Sequence, residues 1–207
     1  MREAILIPLG YLLGSMPWGY WVPLVFGRVN IRQVGSGNVG ATNVWRVLGF
    51  QYGIAVALLD IAKGLAAGLL GLTLAGPTVG VLAGAAALAG HWRPIFLGFA
   101  KGGKVVAVTG GVGLALAPFA SLAAVGLWIL VFLFARYASL SSGIAGISLP
   151  VFAVVFNASW PVIGFTIGAG LAIVILHRGN FIRLVRGEER RFDFSIRGKR
   201  SVLKSEG

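Results

Sequence analysis

Apolar residues in this chain come in long unbroken blocks, not in the alternating pattern of a half-buried strand or the one-sided stripe of a soluble helix. Breaks at prolines, polar clusters and charges leave seven such blocks, at 4–26, 50–72, 77–92, 105–117, 119–135, 138–156 and 161–176. Several approach the roughly 20 residues that an α-helix needs to cross a bilayer. The pattern predicts an all-α polytopic membrane protein with about seven transmembrane helices, since only helices and closed barrels satisfy their backbone in lipid. The first block does not read as a cleavable signal: it is long, and Gly14-Ser15-Met16-Pro17 lies inside it instead of forming a small-x-small site after it. The fourth is short and glycine-rich, the length of a half-helix or re-entrant segment, and Pro118 marks the turn into the fifth.

Composition agrees. Residues are 57% hydrophobic and 12% charged, against about 25% charged in a soluble domain. Most of the 32 glycines read as packing positions, because small residues let helix backbones approach closely in lipid. With no cysteine in the chain, disulfides, zinc–thiolate sites and iron–sulfur clusters are excluded.

The net charge of +12 is unevenly placed. Arg28, Arg32 and Arg46 follow the first block, Arg93, Lys101 and Lys104 the third, Arg136 the fifth, and Arg178 to Lys204 the seventh. The alternate connections at 73–76, Pro118 and 157–160 carry no Lys or Arg. The positive-inside rule then puts the N-terminus outside and the C-terminus in the cytoplasm, an alternation that an odd number of spans preserves. A membrane domain over 1–189 and a basic cytoplasmic tail over 190–207 are expected. The tail suits anionic lipid head groups better than nucleic acid.

The same alternation gathers the polar, glycine-rich stretches 33–46, 90–111, 136–142 and 177–188 on one membrane face. In the first, Gly35-x-Gly37-x-x-Gly40 has the spacing of a dinucleotide fingerprint, but that motif needs a strand–turn–helix setting that a helical membrane domain lacks. Two readings of the stretch stay open. One is an anion nest of glycine N–H groups with Ser36, Asn38, Thr42, Asn43 and Arg46. The other is an interfacial loop leading into a helix capped by Thr42 or Asn43. In the second stretch, "GFAKGGK" (98–104) is nearly a P-loop, yet Val105 stands where a magnesium-binding Ser or Thr belongs, so ATP hydrolysis is not expected. Two lysines among glycines still suit an anion. His91 and His177 both sit at cytoplasmic block ends, as helix caps or as acid–base groups near phosphate, and His177 has Arg178 and Asn180 beside it. Neither has an evident set of carboxylate partners, and no metal or cofactor is expected. Asp60 and Lys63, at i and i+3 inside the second block, read as a structural ion pair.

Five stretches in order, "GSGNVGATNVWRVLG" (35–49), "LLDIAKG" (58–64), "GHWRPIFLGFAKGGK" (90–104), "RYASLSS" (136–142) and "HRGNFIRLVRGEE" (177–189), resemble the bacterial membrane acyl-phosphate:glycerol-3-phosphate acyltransferases. The resemblance implies a seven-helix enzyme of the cell (inner) membrane with a cytoplasmic site. It implies transfer of a fatty acyl group from acyl phosphate to the 1-hydroxyl of glycerol 3-phosphate, giving lysophosphatidate and phosphate. It further implies that His177, Asn180 and Lys104 are catalytic. Ser36, Gly37, Asn38, Arg46, Gly102, Gly103, Lys104 and Ser142 are the implied phosphate-binding residues, with Gly35 and Gly40 shaping the first loop. The His-x4-Asp relay of acyltransferases with soluble donors is absent, since Phe96 and Ile182 occupy the acidic positions. One stretch departs from the resembled pattern Phe-Lys-Gly-Gly-Lys-Gly-Val-Ala-Thr: Ala100 is inserted, Val105 replaces a glycine and Val108 precedes Thr109. The alternative is a transporter for an organic phosphate, which would need a polar path through the midplane and a second polar mouth. Apart from Asp60 and Lys63, the chain has neither.

Overall fold

The structure of the protein, a computed structural model, describes residues 2–194. Residues 195–207 of the expected basic tail lie outside the described part. Among the described residues there is no strand. The helices are α1 (Arg2–Ser15), α2 (Trp18–Gly27), α3 (Ala41–Leu48), α4 (Phe50–Ala75), α5 (Pro77–Trp92), α6 (Val106–Leu116), α7 (Pro118–Ala135), α8 (Ala138–Val155) and α9 (Trp160–Val185), with one 3-10 turn at Ile95–Leu97. Of these, α4, α7, α8 and α9 are long and apolar enough to cross a membrane, and α6 is a shorter apolar helix.

Each apolar block carries helix, but two differ in extent. The first is split at Met16–Pro17 into α1 and α2, because a proline has no N–H to continue the ladder and its ring crowds the carbonyl four residues back. The last runs on to Val185, well past the apolar limit at 176. Arg178, Asn180 and Arg183 change what the helix is dissolved in, not whether its backbone is helical. By contrast, α5 has the boundaries expected, with Pro77 in its first turn.

Helix α1 lies along α5, α4 along both α5 and α6, and α7, α8 and α9 pack in chain order. The closest approaches use small residues. A Cβ on Gly10 or Gly14, one turn apart on α1, would run into the backbone of Ala83 or Ala87, one turn apart on α5, the small-xxx-small packing of membrane helices. The principal core joins α4, α5, α6 and α9 through Ala67, Leu88, Val108, Val112, Phe165 and Ile173. Large apolar side chains such as Phe119, Phe134 and Val151 face outward, each more than half exposed, as on a bundle whose solvent is lipid. The consequence for function is local: the ends of α5 and α9, the N-terminus of α6 and the Ile31–Leu48 stretch meet on one side of the bundle.

Candidate active site

The centre is a chain of hydrogen bonds joining three parts of the sequence. Lys104 Nζ, in the loop before α6, donates to Asn180 Oδ1 on α9. Asn180 Nδ2 donates to Glu189 Oε1 at 2.7 Å. Ser139 Oγ on α8 donates to the same oxygen at 2.9 Å, and Arg183 Nε lies 2.9 Å from Oε2. The end of α9 builds this hub. Gly187 takes a left-handed φ of 73°, and the Glu188 and Glu189 N–H groups donate to the Arg183 carbonyl at 2.8 and 3.2 Å. The chain therefore folds back and lays Glu189 against Asn180.

Burial lowers Lys104 to about 8; Glu189 opposes that shift, while Arg183 and Lys101 add to it. The lysine is therefore still a cation at neutral pH. Burial works to raise the Glu189 carboxyl, but hydrogen bonds from Asn180 and Ser139 and the Arg183 charge outweigh it and hold the group below its ordinary value. Among the described residues, Lys104 bonds to a neutral amide and its carboxylate is one link further away, so the ammonium keeps donors for an incoming anion.

His177, one turn before Asn180 on α9, is buried. Its Nδ1 lies 2.8 Å from the Ile173 carbonyl oxygen. A carbonyl only accepts, so Nδ1 carries the proton of the neutral ring and Nε2 is left as an acceptor. Ser142, also buried, donates its hydroxyl proton to Ala138 O at 2.7 Å and accepts from Trp128 Nε1 at 3.0 Å. It is Ser139, one turn earlier, that reaches the hub.

The Ile31–Leu48 stretch is organised by Asn43, which sequence reasoning offered as a helix cap. The structure corrects that: α3 is capped by extended Gly40 with no side-chain bond. Asn43 instead ties the loop together. Its amide donates to Val34 O and Asn38 O, each at 3.1 Å, and its Oδ1 accepts from Ser36 N–H at 2.8 Å. Gly35 and Gly37 hold left-handed φ values of 64° and 68° that make this turn possible. The segment after α9 links the loop to the hub: Arg190 Nη1 donates to Gly35 O at 3.3 Å, and Phe192 is buried against Trp45, ring centroids 4.5 Å apart. Arg46 stands over the Phe192 ring at 5.9 Å. Burial and Arg190 lower it from its ordinary value while Glu189 acts against them. Ser36 is exposed and Asn38 and Arg46 are half-buried, so these three expected phosphate-binding residues all reach the surface of the stretch.

Gly102 and Gly103 have a different place. Their N–H groups donate to Trp92 O at 2.9 Å and His91 O at 3.1 Å. A Cβ on Gly103 would run into the His91 imidazole. They serve as a close-fitting lid on the end of α5, and their amides are already engaged with protein carbonyls. Beneath them is the ion pair expected between Asp60 and Lys63, at 2.8 Å with both side chains 3% exposed. His91 joins this pair: its Nδ1 lies 3.7 Å from Asp60 Oδ1 and 2.9 Å from Lys63 Nζ, which also donates to Met16 O at 2.7 Å.

Beside the hub a groove of about 630 Å³ runs between α5 and α9. It is lined by apolar side chains and glycines from Val105 and Leu176 at one end to Val81 and Pro161 at the other. Val105 follows Lys104 and Leu176 precedes His177, so one end of the groove abuts the polar cluster. Val105 itself has φ 58° and ψ −3°, a left-handed conformation costly for a β-branched residue, on the order of 1–3 kcal/mol. The departure noted in the sequence thus falls at a position whose backbone suits glycine. Glu189 and Ser139 are the residues that sequence reasoning missed. Glu189 is one of only six acidic residues and stands in a basic run, which was the available signal.

Known proteins share this arrangement's sequence and fold. A family model described as glycerol-3-phosphate acyltransferase matches residues 4–187. A "Glycerol-3-phosphate acyltransferase" of Desulforudis audaxviator (strain MP104C) is 43% identical over 190 residues, covering 92% of this chain and 96% of the relative. The crystal structure of PlsY (YgiH), an integral membrane glycerol 3-phosphate acyltransferase, in its glycerol 3-phosphate form superposes with a TM-score of 0.89 at 40% identity, covering 93% of this chain and 96% of that one. Its lysophosphatidic acid form gives 0.86 at 38% identity, covering 95% and 98%.

Proposed function

The chain belongs to the glycerol-3-phosphate acyltransferase family, and from that premise we propose how this membrane enzyme works: it takes its acyl group from acyl phosphate, at a site on the cytoplasmic face of the cell membrane. The polypeptide crosses the bilayer seven times with its N-terminus outside, a reading supported by the one-sided distribution of Lys and Arg. We take residues 1–189 as the catalytic membrane domain and 190–207 as a basic tail, whose first residues Arg190 and Phe192 pack on the Ile31–Leu48 stretch.

The observation that carries the proposal is the junction of two environments. The Lys104–Asn180–Glu189 hub, with His177 one turn away and Ser36 and Arg46 on the Ile31–Leu48 stretch, offers cations and donors suited to phosphate. The apolar groove ending at Val105 and Leu176 offers space for a hydrocarbon chain. A substrate joining a phosphate directly to an acyl chain fits that junction. Arg46, Ser36 and Asn38 hold the glycerol phosphate, with Gly37, whose N–H donates to Val34 O, shaping the turn, while Lys104 and Ser142 attend the acyl phosphate. Gly102 and Gly103 place Lys104 through the end of α5.

In the reaction the 1-hydroxyl oxygen of glycerol 3-phosphate attacks the acyl carbonyl carbon. The ester C–O bond forms, the bond from that carbon to the phosphate oxygen breaks, and inorganic phosphate leaves with the bonding electrons. The hydroxyl proton passes to His177 Nε2 or to a phosphate oxygen of the substrate. Phosphate is a good leaving group, so orientation and the Lys104 charge supply most of the acceleration. The test is turnover of the purified protein in lipid with glycerol 3-phosphate and palmitoyl phosphate, palmitoyl-CoA or palmitoyl-acyl carrier protein. Lysophosphatidate and phosphate released in equal amounts from palmitoyl phosphate alone is the expected outcome; product from a thioester donor alone would overturn the donor assignment.

A further inference from the structure

Val105 belongs to both environments at once. Its backbone continues the loop that carries Lys104 and opens α6, and its carbonyl accepts the Thr109 N–H at 2.8 Å. Its side chain is 2% exposed, sits in the core formed by α4, α5, α6 and α9, and lines the inner end of the groove with Leu88, Trp92, Ala172 and Leu176. A β-branched residue in a left-handed conformation is a rare arrangement that the surrounding structure has to enforce. At this position glycine would hold the same backbone without that cost. The two methyl groups are therefore the feature that Val105 adds: packed in the core, they back the wall of the groove at the end next to the lysine.

We propose that Val105 is a specificity-determining residue for the acyl donor: it narrows the groove where the carbons adjoining the scissile carbonyl must pass, so that straight acyl chains are accepted and chains substituted at C2 or C3 are excluded. The inference rests on the acyl phosphate reading above. With the phosphate held at Lys104, the carbonyl is fixed within a few bonds of that lysine, and C2 and C3 enter the groove beside Val105. Farther along, Gly164 and Gly168 leave the groove open, so the selection acts near the reacting carbon and not at the chain's far end. Crowding one methyl group in an apolar site changes relative rates by about 10–200-fold.

The test compares kcat/KM of the full chain in lipid for palmitoyl phosphate and 2-methylpalmitoyl phosphate, with inorganic phosphate release as the readout. In Val105→Gly the branched-to-straight ratio should rise about tenfold or more over the unsubstituted protein. Val105→Ile, which adds one methylene to the same wall, should lower the ratio. Where turnover is too slow to measure, protection against thermal unfolding by each acyl phosphate reads the same preference. A ratio within about twofold of the starting value in both variants overturns the assignment of Val105 while leaving the donor intact. Absence of product from palmitoyl phosphate in the unsubstituted protein overturns the donor reading itself.

Discussion

Two lysines in this protein sit among the same kinds of partners and are put to opposite uses. Lys63 lies inside the bundle, 2.8 Å from the Asp60 carboxylate, and is also bonded to Met16 O and His91 Nδ1. Two hydrogen bonds and an ion pair surround its ammonium, and almost none of it reaches solvent. Lys104 stands at the helix ends, bonded to the neutral amide of Asn180, with Glu189 on the amide's far side. A lysine neutralised by direct contact holds helices together. A lysine separated from its carboxylate by an amide keeps a charge to offer. What distinguishes a structural cation from a functional one here is a single intervening side chain.

The comparison breaks most visibly at Lys63. Lys63→Met leaves Asp60 buried without its partner, a change that typically costs about 3–5 kcal/mol. A large drop in melting temperature is expected, and Asp60→Asn in the same chain should recover much of it; a single variant that melts like the starting protein would remove the distinction drawn above. At Lys104 the expected loss is kinetic. Lys104→Ala should lower kcat/KM by about 10²–10³-fold while the melting temperature stays within a few degrees, and equal losses of stability and activity would contradict the contrast.

Next in size is a pH effect. Lys104 is lowered to about 8; if it meets the acyl phosphate as the ammonium, as proposed, kcat/KM for the acyl phosphate should hold through neutral pH and decline above about 8 as the proton leaves. Lys104→Arg keeps its charge throughout that range, and whatever activity it retains should lack the alkaline limb. The smallest effect sharpens the role of the intervening amide. Glu189 acts to raise Lys104, so Glu189→Gln should shift the alkaline limb to lower pH; a limb that does not move would mean the carboxylate is not felt through Asn180.

How much of this was legible beforehand varied with distance along the chain. Helix α5 was readable to the residue because Pro77 and the polar Trp92–Arg93 end are local signals. The end of α9 was not, because hydropathy reports where lipid stops and the helix continues beyond that point. Lys104 and Asn180 were individually legible as members of motifs, but their contact spans 76 residues, and no local pattern encodes it. Asn43 was recognised as a polar residue of this stretch, with a helix cap as one of two readings left open. A cap is the commonest local use of such a side chain, whereas its actual bonds reach back to Val34 and Asn38. Glu189 was hidden by its basic surroundings, and the approach of His91 to Asp60 was not legible because the two are 31 positions apart in sequence and 3.7 Å apart in space.

The groove between α5 and α9 has a kinetic consequence. Its outer edge includes exposed Pro161, Gly164, Gly168 and Ile175, so under the proposed function a hydrocarbon chain would enter it sideways from the lipid, while glycerol phosphate would arrive from water at the helix ends. One reactant would then be supplied in two dimensions and the other in three. Diluting the membrane with inert lipid should slow the enzyme even when every bulk concentration is held fixed, and the relevant measure of the donor is its mole fraction in the bilayer.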